Sequence, residues 1–193
     1  MSSTAGSLCP PADDGEAVRI NSFAIVTYIP DPLGGFLDGL RKELVPSCSL
    51  RSHVSILPPR PLGHTEQQAR DQIERECRRK SRFPIQAGGI RVFDVTNVIY
   101  IEIAVGAEDL RQMHDALNSD ALAYKEPYVY HPHITLAQQL PADMIGEGSE
   151  LASRRWAEYR HARGFDVDVI TFVQNTSLNR WIDLSETRMQ PGG

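Results

Sequence analysis

Two tripeptides, His53-Val54-Ser55 and His133-Ile134-Thr135, each set an imidazole and a hydroxyl two residues apart in runs rich in β-branched residues. Side chains alternate across a strand, so positions i and i+2 share a face and each tripeptide aims its histidine and hydroxyl the same way. Val54 and Ile134 then point toward a core. Histidine titrates near neutral pH, so two imidazoles facing one cleft can serve as base and acid. Phosphodiester chemistry needs that combination. A base deprotonates the attacking water or hydroxyl, an acid protonates the leaving oxygen, and donors steady the nonbridging oxygens. Ser55 and Thr135 are the candidate donors, and because acid and base are both side chains, the arrangement calls for no metal. One His-x-Ser/Thr triplet carries little weight; a pair in matching strands carries much more.

The elements around the two triplets explain how they could meet. Phe23 to Ile29 reads as a strand stopped by Pro30-Asp31-Pro32, and Leu33, Phe36, Leu37, Leu40 and Leu44 recur at helical spacing over Pro32 to Leu44. The first histidine strand follows, running into Pro58-Pro59. Thr65 to Arg82 is a helix with Thr65 as its cap, and Phe83 to Phe93 and Asn97 to Val105 form a hairpin. Ala107 to Leu122 is again helical and leads to the second histidine strand. Strand, helix, histidine strand and helix thus occur twice. Pro141 to His161 reads as a further helix, with Phe165 to Asn175 and Trp181 to Met189 as closing strands. The pattern predicts an α+β fold with mainly antiparallel sheets flanked by helices.

Composition sets the bounds. The 193 residues, 41% hydrophobic and 23% charged, suit one core-bearing domain, expected over 19–190 after a flexible leader at 1–18. No segment reads as a signal peptide or a membrane span. Cys9, Cys48 and Cys77 lack Cys-x-x-Cys spacing, which argues against a zinc ribbon or a secreted disulfide framework and favours a reducing, cytoplasmic setting, and a monomer is expected. A net charge of −5 disfavours a stable grip on duplex nucleic acid. The basic cluster from Arg70 to Arg82 is interleaved with acids and reads as a solvated helix face.

The paired motifs, Ser52-His53-Val54-Ser55-Ile56-Leu57 and Pro132-His133-Ile134-Thr135-Leu136-Ala137, resemble the two-histidine (2H) phosphoesterase superfamily, which holds the 2′-5′ RNA ligase-like and cyclic phosphodiesterase proteins. The resemblance in element order spans roughly Phe23 to Met189. It implies a LigT-like fold of two pseudo-symmetric lobes with an active-site cleft between them, each motif on a central strand of its lobe. It further implies His53 and His133 as general acid and base, and Ser55 and Thr135 as phosphate ligands. The expected substrate is a 2′,3′-cyclic phosphate on a nucleotide or RNA end, opened without a cofactor; 2′-5′ RNA ligation would be the reverse reaction. Gln138 stands where members that resemble bacterial RNA ligases often carry arginine, and Arg60 is a candidate substitute phosphate contact.

Other readings use the same residues. His131 and His133 at i and i+2, with His53, could bind a metal, although no further ligand stands at interpretable spacing. Tyr130, Phe36 and Tyr28 are candidates to stack on a base, while Trp156 and Trp181 read as packing anchors. His64, His114 and His161 read as ordinary surface or core histidines. There is no P-loop, dinucleotide glycine pattern or nucleophile elbow. A module that binds a nucleotide or RNA end without turnover is the alternative from another functional class.

Overall fold

A computed structural model describes residues 16–93 and 95–192, so most of the expected leader lies outside the described residues. The first histidine motif is reached through β1 (Arg19–Tyr28), α1 (Leu33–Leu44) and β2 (His53–Arg60). The apolar spacing of α1 does what it predicts: Leu33, Leu37, Leu40 and Leu44 are buried, each contributing about 1.5–3 kcal/mol relative to exposure. Next comes α2 (Glu66–Cys77), capped by Thr65, whose hydroxyl accepts from the Gln68 amide while the Gln68 side chain accepts from the Thr65 amide. It is shorter than predicted, because the basic segment beyond Cys77 leaves the helix. The Arg70–Arg82 cluster itself is a solvated face, with Arg70, Arg78 and Arg79 paired to Glu66, Glu74 and Glu76.

The second motif follows β3 (Phe83–Phe93), β4 (Val98–Val105) and α3 (Ala107–Leu117), and lies on β5 (His133–Ala137). Gly106 opens α3 at φ 85°, and a Cβ there would sit 2.3 Å from the Pro84 carbonyl oxygen, so glycine is required. The chain closes with α4 (Ile145–Glu158), β6 (Gly164–Val167), β7 (Val169–Thr176) and β8 (Trp181–Arg188).

The strands form two antiparallel four-stranded sheets, ordered β2-β1-β7-β8 and β5-β4-β3-β6. The single strand predicted over Phe165 to Asn175 is therefore two. Its first part pairs with β3 in one sheet and its second with β1 in the other, with the crossing at Asp168. Both histidine strands are sheet edges and not central strands. They pack against one another, β2 against β5, without forming a ladder. The helices exchange partners across that seam: α1 packs on β5 and α3 on β2. One apolar cluster runs through both lobes, from Ile25 and Phe172 to Ile101 and Ile134. No helix among the described residues is long and apolar enough to cross a membrane.

Candidate active site

Along β2 and β5 the burial alternates as the motifs require. Val54, Ile56, Ile134 and Leu136 are buried, while His53, Ser55, His133 and Thr135 are half-buried on the other face. Each histidine is held in the same way. His53 Nδ1 lies 2.8 Å from the Arg51 carbonyl oxygen, and His133 Nδ1 lies 2.6 Å from the His131 carbonyl oxygen. A carbonyl only accepts, so Nδ1 carries the proton in both rings and Nε2 is left to give or take one. Two strands with equivalent registers thus present two equivalent imidazoles.

Their surroundings differ. Burial pushes the His53 pKa down to about 4, with the Arg41 guanidinium the next contributor and the charge of His133 also acting on it. Arg41, on α1, is 2% exposed, and its Nη1 reaches the Arg51 carbonyl at 3.5 Å, the same oxygen that orients His53. No carboxylate lies within ion-pair distance of it among the described residues, and its Nε has no hydrogen-bond partner. Burial lowers His133 as well, but no arginine acts on it; its walls are Phe93 and Tyr100, with ring centroids 5.1 and 5.4 Å away. The segment that delivers His53 is pinned by Asp38, whose Oδ1 accepts from the Ser52 amide and hydroxyl, both at 2.6 Å.

A cavity of about 370 Å³ opens beside His53 and Ser55. Its floor is Ala24, Val26 and Val173, and its far wall is Trp181 and Asp183 from β8. Tyr28 stands between, its ring edge-on to His53 at 6.4 Å and its hydroxyl donating to Asp183 Oδ1 at 2.6 Å. Burial and the Asp183 carboxylate raise the Tyr28 pKa, which keeps the phenol a donor. The Arg51 guanidinium lies 4.2 Å from the Tyr28 ring centre.

The remaining candidates are placed differently from their predicted roles. Arg60 does not line the cavity beside His53. It is 3% exposed, its Nε and Nη1 donate to the Pro58 carbonyl and to Asn118 Oδ1 at 3.0 and 2.8 Å, and its Nη2 pairs with Glu126. The proline-rich end of β2 turns this side chain into the seam between the lobes. Tyr130 is not a free stacking surface either. Its hydroxyl donates to the Ser55 carbonyl at 2.7 Å, and its ring stacks on His114 at 4.2 Å. His114 is buried and its Nε2 lies 3.0 Å from Glu126, so this core histidine belongs to the strap that joins β2 to the approach of β5. Gln138 is half-buried just past β5. Phe36 packs on Trp156 and Tyr159, as core. Trp156 is the anchor expected, donating to the Gly88 carbonyl at 2.8 Å, whereas Trp181 lines the cavity. No group of three or more His, Cys, Asp or Glu side chains gathers to hold a metal among the described residues.

Arg41, Arg51, Trp181 and Asp183 were not singled out for the site from sequence. Trp181 and Asp183 did carry a usable signal, since they stand at i and i+2 of the last strand and therefore share a face.

Two lobes that each offer a histidine and a hydroxyl from an edge strand define the two-histidine phosphoesterase class. The chain belongs to the 2′-5′ RNA ligase superfamily, whose family model matches residues 29–178. A protein named as a phosphoesterase from Geobacillus sp. strain WCH70 is 32% identical over 109 residues, covering 50% of this chain and 62% of the relative. The matched segment thus spans under two thirds of that relative's length. A second so named, from Geobacillus kaustophilus, is 24% identical over 128 residues, 62% of this chain and 70% of the relative. Among solved structures, apo LigT of E. coli superposes with a TM-score of 0.61 at 15% identity, covering 91% of this chain and 99% of LigT. Usb1 of Kluyveromyces marxianus with uridine monophosphate gives 0.52 at 13% identity, covering 85% and 97%. These likenesses show the fold.

Proposed function

We propose that the chain is a metal-independent phosphoesterase that opens 2′,3′-cyclic phosphates on nucleotides or RNA ends. The observation that carries this reading is the matched tethering of the two imidazoles: each Nδ1 is tied to the carbonyl two residues back, and each Nε2 is left for proton transfer beside a hydroxyl two residues on. The family membership supports it. So do the nucleotides in the structures of similar folds, 3′-AMP with LigT and uridine monophosphate with Usb1.

His53, held neutral by burial and Arg41, takes the proton of the attacking water through Nε2. Water oxygen bonds to phosphorus in line as the bond from phosphorus to the ribose 3′ oxygen breaks, and His133 returns a proton to that oxygen. Ser55 and Thr135 donate to the nonbridging oxygens. The product carries a 2′-phosphate. The anionic phosphate favours protonation of the imidazole it meets, while burial and then Arg41 oppose protonation of His53.

The test is turnover of 2′,3′-cyclic nucleotides in EDTA by the full chain, by His53→Ala and by His133→Ala. Chelator-insensitive turnover that falls by about 10²–10⁴-fold in each variant is expected for lost general acid-base catalysis. Turnover that survives both substitutions refutes the assignment. Nucleotide binding without turnover would make the protein a binding module.

A further inference from the structure

Taking the cleft as a nucleotide phosphoesterase site, we propose that the cavity beside His53 binds the base of the substrate, and that Asp183, with the Trp181 ring beside it, selects guanine. The geometry of the first sheet supports this. The inner faces of β1 and β7 carry Ile25 and Phe172 into the main core, while the opposite faces carry Ala24, Val26 and Val173, a separate small apolar group with Tyr28 and Trp181 packed against it. These short side chains make the cavity floor, an apolar bed of a size that leaves room for a planar ring. The volume, about 370 Å³, falls at the lower end of ligand pockets and suits one nucleoside.

Position links the cavity to the chemistry. His53 and Ser55 occupy one end, and Tyr28 leads from His53 to Asp183, so the carboxylate lies one tyrosine side chain beyond the imidazole. A phosphate held at His53 therefore has its own nucleoside directed toward β8.

The far wall sets the selectivity. Asp183 Oδ1 takes the Tyr28 hydroxyl, which fixes the carboxylate, and Oδ2 has no donor from the protein among the described residues. A fixed, solvent-facing carboxylate at the end of a cavity with an apolar floor asks for N–H donors, and two adjacent donors can bind it together. Guanine is the base that offers two on one edge, N1–H and the N2 amino group; adenine and cytosine offer one amino group, and uracil one ring N–H. The Trp181 ring, packed against the same small apolar group, closes the wall beside Asp183. Both residues lie on β8, beyond the stretch 29–178 that matches the family model.

The experiment uses the full chain with 3′-GMP, 3′-AMP, 3′-CMP and 3′-UMP, read by tryptophan fluorescence and calorimetry, beside kcat/KM for the four 2′,3′-cyclic nucleotides. The guanine nucleotide should bind at least about tenfold tighter than the uracil one, a difference of about 1.4 kcal/mol. Asp183→Asn keeps an acceptor for Tyr28, so a melting curve near wild type is expected while the guanine preference falls to within about twofold of adenine. Trp181→Phe should remove most of the fluorescence change. Equal binding of all four nucleotides, or a guanine preference that survives Asp183→Asn, overturns the proposal. Guanine-selective binding without turnover upholds the base site and refutes the catalytic reading. Turnover of all four cyclic nucleotides at equal kcat/KM does the reverse.

Discussion

Arg60 offers the sharpest test of what the seam between the lobes does. Its guanidinium makes three directed contacts besides Glu126: to the Pro58 carbonyl at 3.0 Å, to Asn118 Oδ1 at 2.8 Å and to the Leu122 carbonyl at 3.3 Å. The last two lie at the end of α3 and in the turn after it, so the side chain ties the end of β2 to the connection that delivers β5. Both charges are withdrawn from water, with the Arg60 side chain 1% and the Glu126 side chain 12% exposed. In Arg60→Met the carboxylate stays buried with only His114 beside it. Breaking a buried pair in this way costs about 3–5 kcal/mol. At about 2–4 °C per kcal/mol for a chain of this size, the melting temperature should fall by roughly 6–20 °C. Adding Glu126→Gln removes the orphaned charge and should recover more than half of the loss, because a buried pair replaced as a unit is often close to neutral. Calorimetry on the two single variants and the double variant measures the coupling. KM for a cyclic nucleotide, measured on the double variant well below its melting temperature, should stay within about twofold of wild type, since Arg60 does not line the cavity. A melting shift under about 2 °C together with a tenfold rise in KM would refute the structural role and restore Arg60 as a phosphate ligand.

Two further outcomes test the site itself. Ser55→Ala and Thr135→Val should each lower kcat/KM by about 10²-fold, as expected for a lost donor to developing phosphoryl charge, with little change in melting temperature; losses under threefold in both would remove the hydroxyls from the mechanism. A base works only when neutral, so activity should fall as pH drops through the His53 pKa of about 4, and Arg41→Met should move that acid limb up toward the ordinary histidine value of about 6.5. The pH profile of kcat/KM reads this directly, and an unmoved limb would show that Arg41 does not act on the base.

The parts legible in the sequence are those governed by neighbours along the chain. The leucine spacing of α1, the Thr65 cap and the alternation around Val54 and Ile134 each express a local rule, and each element lies where that rule puts it. The two hydroxyls follow their histidines onto one face for the same reason. What could not be read was decided by residues far apart. Nothing in Phe165 to Asn175 says that its halves join different sheets; that depends on β3 and β1 competing for pairing partners, and the switch takes one residue, Asp168. Arg60 looks like a loop arginine until Glu126 is found beside it. Trp181 resembles a core anchor because tryptophan usually is one, and only the short floor residues of two other strands leave it beside open space.

Symmetry explains why two motifs meet, but acid-base catalysis needs the two imidazoles to differ. The strands cannot supply the difference, since both histidines bond the carbonyl at i−2 and share a face with the hydroxyl at i+2. The helices can. α1 and α3 hold equivalent places, each leading into a histidine strand and packing on the strand of the opposite lobe. The first buries Arg41, which has no carboxylate partner among the described residues, behind His53. The second buries His114, which is joined to Glu126 and stacked on Tyr130, so the corresponding polar group is spent on holding the lobes together. One helix therefore acts on the charge of its histidine strand and the other on the position of its partner strand. In the mechanism proposed above, the burial of His53 and the Arg41 guanidinium together favour the neutral imidazole, which suits His53 to the role of base and leaves that of acid to His133.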